Sequence, residues 1–322
     1  MTAMAGAAEI SKAVQVLRSG GLVAFPTETV YGLGADARNP QALLQVYRLK
    51  GRPTTHPLIV HIPSADQLDD WCSNPPPVAR ALAARFWPGP LTLVLRRAAS
   101  VPDEVTGGQD TVALRVPAHP VARALLEAFG GGIAAPSANR YGRVSPTRSA
   151  HVREEFGPQA PLILEGGDCR VGLESTIVAC VDGRVILLRP GAITLSQVRE
   201  LAGAVEGARD GAVPRAPGAQ ASHYAPVTPL RMVAAGELGT EPAGTSCEGL
   251  AVLARRPMPV GCGALAWRQL PEGPEDYGRE LYAALRELDQ AGARQILVEA
   301  IPVGEAWAAV ADRLARAAFS AT

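Results

Sequence analysis

Two apolar runs, 175–181 and 184–189, are separated only by Asp182-Gly183, and this pair constrains the fold more than any other feature of the chain. An Asp-Gly dipeptide between strand-like runs makes a two-residue hairpin, so at least one strand pair must be antiparallel. Elsewhere, short apolar runs alternate with helical patterns. Strands are expected at 22–25 (stopped by Pro26), 58–62, 91–96, 111–116, 133–136 and 161–164. Ile10, Val14 and Leu17 stand at helical spacing ahead of Gly20-Gly21, and Asn39-Pro40 is a good N-cap and first-turn pair for a helix through Leu49. Further helices are expected near 65–71, 77–86, 119–129 and 147–156. Helices, strands and one hairpin together argue for an α/β fold with a mixed sheet.

The segment Gly203–Val227 has no apolar period and is dense in Gly, Ala and Pro, so it reads as a linker. Beyond it, strands are expected at 230–234, 251–254 and 295–301, and helices at 276–291 and 304–318, with Leu281, Leu285 and Leu288 on one face. At 322 residues the chain is long enough for two domains of roughly 150 residues each. The division expected is 1–203, a linker at 204–227 and a small α/β domain at 228–322.

Charge and cysteine usage exclude several classes. The chain carries 31 basic and 31 acidic groups, and residues 1–203 have a surplus of only three positive charges. That is too little for nucleic-acid binding by charge alone, so a polyanion site must be local. Cys72, Cys169, Cys180, Cys247 and Cys262 form no C-x-x-C pair, which argues against a disulfide framework or structural zinc and favours a reducing cytoplasm. No run of about 18 apolar residues is present, so no membrane span is expected.

Phosphate loops of the G-x-x-x-x-G-K-[ST] type, G-x-S-x-G elbows and H-E-x-x-H helices are missing. Gly32-x-Gly34-x-x-Ala37 fits a loose dinucleotide fingerprint, but the helix is expected to start at Asn39-Pro40 and not at the glycines. Four features remain. Pro26–Gly34 (PTETVYGLG) places hydroxyls, an acid and two glycines at a strand end, as a surface turn or as a loop that a ligand can approach closely. Lys50 and Arg52 flank Gly51; on extended backbone they would point to one side and grip a polyphosphate, or they decorate a helix C-terminus as solvent-facing cations. Ala134–Asn139 with Ser145-Pro146-Thr147 suits an adenosine or phosphate pocket, or is a loop capped by Ser145. Arg115 and Arg189, inside apolar runs, must be edge-exposed, paired or ligand-facing.

Together these segments resemble the threonylcarbamoyl-AMP synthase family, proteins with a YrdC-type domain. The matching pieces are PTETVYGLG at 26–34, KGRP at 50–53, PLIVHI at 57–62, ALRVP at 113–117, PSAN at 136–139, SPT at 145–147, GLESTIV at 172–178 and LRPG at 188–191. The stretch Pro217–Pro226 is similar to the P-G-x-x-x-x-H-Y-A-P lid of the long, two-domain members. The resemblance implies a YrdC-like twisted mixed sheet with flanking helices, a lid in 204–227 and a small C-terminal Rossmann-like domain. The implied reaction joins L-threonine, bicarbonate and ATP, with Mg2+ accompanying ATP and no protein-bound metal, to give threonylcarbamoyl-AMP and pyrophosphate. A downstream threonylcarbamoyl-transferase then modifies the adenosine next to the anticodon of tRNA.

By the same resemblance, ATP meets Lys50, Arg52, His56, Thr111, Ser137, Asn139, Ser145, Arg189 and Tyr224, with Lys50 and Arg52 catalytic. Threonine meets Thr29, His61, Arg115, Ala135 and Ser175, with Arg115 as a fork on its carboxylate. His56 departs from the family, which usually has asparagine there, and Ala219–Ser222 departs from some members' lids. The rival readings are a carbamoyl-adenylate-forming maturation enzyme and a non-catalytic, weakly RNA-binding module. The first is disfavoured by the absence of zinc-finger cysteine pairs and by the short chain.

Overall fold

Asp182 and Gly183 both take positive φ, 55° and 71°, the geometry of a type I′ turn, and the strands on either side pair antiparallel. The structure is a computed structural model that describes residues 4–208, 213–218, 223–234, 238 and 248–319. The chain divides into two units: Met1–Tyr141 with Pro146–Ala219, and Gly142–Ser145 with Gln220–Thr322.

In the first unit the strands are β1 (Val23–Phe25), β2 (Gly32–Asp36), β3 (Ile59–His61), β4 (Leu91–Arg96), β5 (Thr111–Arg115), β6 (Ile133–Ala134), β7 (Leu162–Ile163), β8 (Thr176–Val181), β9 (Arg184–Arg189) and β10 (Glu206–Gly207). They form one sheet in the order β10-β9-β8-β4-β5-β3-β6-β2-β1-β7. Parallel pairs (β3/β5, β4/β8) alternate with antiparallel ones (β4/β5, β3/β6, β8/β9), which is the mixed sheet expected. The helices are α1 (Ala7–Arg18), α2 (Pro40–Lys50), α3 (Leu68–Trp71), α4 (Pro77–Phe86), α5 (Asp103–Thr106), α6 (Pro120–Phe129), α7 (Ser149–Phe156) and α8 (Leu195–Ala202).

The start of α2 follows from its sequence. Asn39 Oδ1 accepts the backbone N–H groups of Gln41 and Ala42 at 3.0 and 3.2 Å, Pro40 opens the first turn, and Gly51 closes the helix at φ 65°. Gly32 and Gly34 therefore lie in β2, not at a helix start, and no dinucleotide loop forms. β2 itself goes unread in the sequence, because Gly-Leu-Gly-Ala-Asp has little intrinsic strand preference. It is a strand because β1 and β6 pair with it on both sides. The helix α8 is also unanticipated, although Thr194 and Gln197 form a capping box in which each side chain bonds the other's backbone N–H.

The two faces of the sheet differ. On one face Val60, Leu93, Leu95, Val112, Leu114 and Val178 pack with α2 and α4 into the large core. On the other face, Val23, Phe25 and Ile133 pack under α1 and α6, and a second cluster holds Ile59, Val94, Ala113, Ile177, Ala179 and Ala216. Ala216 belongs to the segment read as a linker. Gln109 ties the same segment down through its side-chain contacts with the backbone of Arg215, at 2.7 and 3.1 Å.

The second unit contains β11 (Leu230–Val233), β12 (Leu250–Ala254), β13 (Ala266–Gln269), β14 (Gln295–Glu299), α9 (Pro274–Asp289) and α10 (Ala308–Ala317). Its sheet, β11-β14-β12-β13, is parallel throughout, and the apolar stripe of α9 buries Leu281, Leu285 and Leu288. Among the described residues no helix is long and apolar enough to cross a membrane.

The close approach of β1, β2 and β6 can be tested. A Cβ at Gly34 would lie 2.7 Å from the Phe25 ring and 2.8 Å from Ile133 Cγ2, whereas one at Gly207 would meet nothing within 4 Å among the described residues. Gly34→Ala should cost about 1–3 kcal/mol in urea unfolding, and Gly207→Ala less than about 0.5 kcal/mol. Equal effects would remove the steric account.

Candidate active site

Side chains alternate along a strand, and the register β3/β5 pairs Ile59 with Ala113 and His61 with Arg115. His61 also pairs with Ile133. His61 and Arg115 thus occupy the polar gap on one sheet face between the two apolar clusters described above. The gap is filled from loops at the strand ends.

Arg115 sits in a central strand with a side-chain exposure of 4%, so its charge must be satisfied locally. Its Nη2 pairs with Glu28 Oε1 at 2.6 Å, Nη1 donates to Thr29 Oγ1 at 2.8 Å and Nε donates to the Gly89 carbonyl at 3.1 Å. Of the three options open in the sequence, the structure makes this arginine a buried, paired one. Glu28 also accepts the Ala118 N–H at 3.0 Å. Thr27 sets the turn that presents Glu28 and Thr29: its hydroxyl bonds the Val30 carbonyl at 2.6 Å and accepts the Thr29 and Val30 N–H groups at 3.2 Å.

His61 is buried, edge-on to Phe25 at 6.0 Å between ring centroids, and among the described residues its Nδ1 has no hydrogen-bond partner. Burial first, and then the Arg115 charge, push its pKa down to about 3, so the ring is a neutral imidazole at pH 7. Ser175 lies within reach of the same face. Its hydroxyl is 2.7 Å from that of Thr92, and Arg189 donates to its carbonyl through Nε and Nη2 at 3.1 and 2.9 Å. Arg189 Nη1 also donates to the Pro217 carbonyl at 2.8 Å, so this guanidinium braces two loops.

A second group forms around Lys50. Lys50 ends α2 and Gly51 is its left-handed cap, so Lys50 and Arg52 are not held on extended backbone. Both are buried, which corrects the solvent-facing reading. Lys50 Nζ donates to the Ser137 carbonyl at 2.5 Å and to the Asn139 carbonyl, joining the K-x-R and S-x-N motifs. Burial and the neighbouring Arg52 hold its pKa well below that of an ordinary lysine. Arg52 Nη2 donates to the Pro57 carbonyl at 2.9 Å, and His56 Nδ1 lies 3.0 Å from the Tyr141 hydroxyl. The chain from Ala135 to Asn139 connects the two groups: Ala135 N–H donates to the Ile59 carbonyl at 2.9 Å, and Ser137 bridges to Gly32.

The structure thus gathers Thr29, His61, Arg115, Ala135 and Ser175 in one group and Lys50, Arg52, His56, Ser137 and Asn139 in another. Thr111 shares the face of Arg115 but stands opposite Arg96, four residues along β5, or roughly 13 Å at strand rise. Ser145 and Tyr224 belong to the second unit. Tyr224 is buried there, stacked on Tyr282 at 5.8 Å and lying under Arg313 at 5.3 Å. Of the lid motif, Ala219–Ser222 lies outside the described residues. The residues that sequence reasoning missed are Glu28, Thr92 and Tyr141. Glu28 stood inside a quoted motif, and its acid between two threonines was the available signal; Thr92 and Tyr141 carried none.

The Sua5/YciO/YrdC family model, described as telomere recombination, matches residues 15–191, and a model of the threonylcarbamoyl-AMP synthase C-terminal domain matches 193–319. Threonylcarbamoyl-AMP synthase from Pyrococcus abyssi is 39% identical over 96% of this chain and 94% of its own. The Bacillus subtilis protein of that name is 38% identical over 96% and 93%. The structure of Pyrococcus abyssi Sua5 complexed with L-threonine superposes with a TM-score of 0.86 at 36% identity, covering 96% of this chain and 94% of that one. The chain belongs to the threonylcarbamoyl-AMP synthase family.

Two outcomes follow from the polar gap. Glu28→Gln leaves the Arg115 charge buried without its counter-ion and should cost roughly 3–5 kcal/mol in chemical unfolding. His61 has a folded-state pKa of about 3 against roughly 6.5 in the unfolded chain. Above pH 6.5 both states are neutral and the group has no effect; on acidification the unfolded chain takes up the proton first, so stability falls from pH 6.5 towards 3. The contribution is about 1.4 kcal/mol per pH unit, and His61→Gln should flatten the acid limb by that amount. An unchanged limb would mean that the imidazole is not held neutral.

Proposed function

We propose that this chain is an L-threonylcarbamoyladenylate synthase, condensing L-threonine, bicarbonate and ATP to threonylcarbamoyl-AMP and pyrophosphate. The observation that carries the reading is the Lys50 ammonium seated on the Ser137 and Asn139 carbonyls, in the same unit as the buried Arg115 fork beside Thr29. One group suits a polyphosphate and the other an amino-acid carboxylate.

The chemistry needs no protein nucleophile. The threonine amine and bicarbonate give a carbamate with loss of water. A carbamate oxygen then forms a bond to the α-phosphorus of ATP as the bond to the β-phosphate oxygen breaks, and pyrophosphate leaves. The protein's part is to align the reactants and to stabilise charge. Arg115, with Thr29 and Ser175, holds the carboxylate end, and the neutral His61 and Ala135 complete that pocket. Lys50 and Arg52, with His56, Thr111, Ser137 and Asn139, receive ATP. Arg189 acts by fixing the Ser175 loop. Ser145 and Tyr224 are assigned to ATP by the motifs that contain them. The division into a catalytic domain at 1–203, a lid segment at 204–227 and a C-terminal domain at 228–322 belongs to the same reading.

Mg2+ would enter with the ATP phosphates. Among the described residues no group of three or more His, Cys, Asp and Glu gathers to hold a metal ion, and Glu28 is engaged by Arg115. No step is assigned to a protein-held metal. The adenylate would pass in the cytoplasm to the enzyme that transfers the threonylcarbamoyl group to tRNA adenosine.

The test is pyrophosphate release from ATP with threonine and bicarbonate omitted in turn. Release that requires both is expected. Release driven by carbamoyl phosphate would move the chain to carbamoyl-adenylate chemistry, and ATP binding without release would make it a binding module. Arg52→Ala should lower turnover by at least about 10²-fold, with a stability cost near 1–2 kcal/mol because a buried hydrogen bond to the Pro57 carbonyl is lost. Wild-type turnover in that variant would remove Arg52 from the phosphate grip.

A further inference from the structure

Tyr141 is tied to Lys50, Arg52 and His56, yet no motif contains it. Its backbone N–H donates to the Lys50 carbonyl at 2.8 Å, which fixes the residue to the end of α2. Its hydroxyl lies 3.0 Å from His56 Nδ1, and the two rings are 5.5 Å apart at a tilt of 49°. The Arg52 guanidinium carbon stands 5.8 Å from the centre of the Tyr141 ring, within the range of a cation–π contact. A phenol that engages an imidazole with its hydroxyl and a guanidinium with its ring face sets the relative placement of the two. The position matters because His56 stands where the family usually has asparagine. An imidazole is bulkier than an amide and needs a partner to settle its tautomer and tilt.

We infer that Tyr141 is a positioning residue for ATP, holding His56 and Arg52 in one arrangement so that both meet the nucleotide. This rests on the assignment of the Lys50–Arg52 group to ATP. Threonine is held on the other group, around Arg115, so the effect is confined to the nucleotide. Tyr141→Phe removes the hydroxyl from His56 and keeps the ring under Arg52; Tyr141→Ala removes both.

The experiment measures ATP affinity of the full chain by calorimetry, together with the KM values for ATP and for threonine, in the wild type, Tyr141→Phe, Tyr141→Ala, His56→Ala and the double variant His56→Ala/Tyr141→Phe. Tyr141→Ala should weaken ATP binding about tenfold and Tyr141→Phe about threefold, with the threonine KM moving less than about twofold. In the His56→Ala background, Tyr141→Phe should add nothing, since the hydroxyl then has no ring nitrogen to hold. Wild-type ATP affinity in Tyr141→Ala overturns the inference, as does an equal loss for ATP and threonine, or a Phe effect that persists without His56. If Tyr141→Ala does not fold, the Phe cycle decides alone. A wild type that binds ATP without releasing pyrophosphate overturns the synthase reading but leaves the Tyr141 comparison readable. A wild type that binds no ATP overturns both.

Discussion

A guanidinium in the middle of a sheet is costly to bury, and Arg115 makes the surrounding loops answer for it. Its three nitrogens reach the Glu28 carboxylate, the Thr29 hydroxyl and the Gly89 carbonyl, which come from two loops at the ends of different strands. Moving any of these loops away would leave a buried charge short of a partner. The same device recurs at Arg189, which joins the carbonyls of Ser175 and Pro217, and at Lys50, which joins those of Ser137 and Asn139. The strands of this sheet are short, several of two or three residues, so sheet hydrogen bonds alone do not fix the loops between them. Buried cations do.

A site fixed in this way is preorganised for anions. The partners of Lys50 are carbonyl dipoles, and burial, with Arg52 alongside, lowers its pKa. An arriving phosphate would bring negative charge and raise it again. Arg115 behaves differently, because Glu28 already balances it. On the proposed reading, an amino-acid carboxylate would be recognised by hydrogen-bond geometry more than by net charge, beside a neutral His61 that adds no repulsion to an amine. The two groups therefore differ in electrostatic character, as the proposed polyanion and zwitterion would each require.

Much of this was legible in the sequence where local chemistry decides. Asn39-Pro40 capped α2, Asp182-Gly183 made the hairpin, and the helical spacing of Ile10, Val14 and Leu17 buried one face of α1. Illegible features were those that long-range packing decides. Gly32–Asp36 is a strand only because β1 and β6 flank it. Val213–Gly218 looked like linker, yet Ala216 packs into the sheet and Pro217 accepts from Arg189, contacts that no local pattern records. Tyr141 is illegible for the same reason: its partner His56 lies 85 residues away along the chain. The exception is α8, whose Thr194/Gln197 capping box was present in the sequence and went unused.

The choice of cations completes the argument. Of 31 basic residues only Lys12 and Lys50 are lysines, and Lys12 lies on the exposed face of α1. A guanidinium is planar, and its fork suits a carboxylate; an ammonium directs three donors tetrahedrally from one atom. At position 50 that one atom donates to two carbonyls two residues apart on the same loop. An arginine there would be too long and too flat to satisfy both carbonyls from one point. A chain that otherwise uses arginine retains lysine where convergence on a single atom is the requirement, and the S-x-N loop is shaped around that atom.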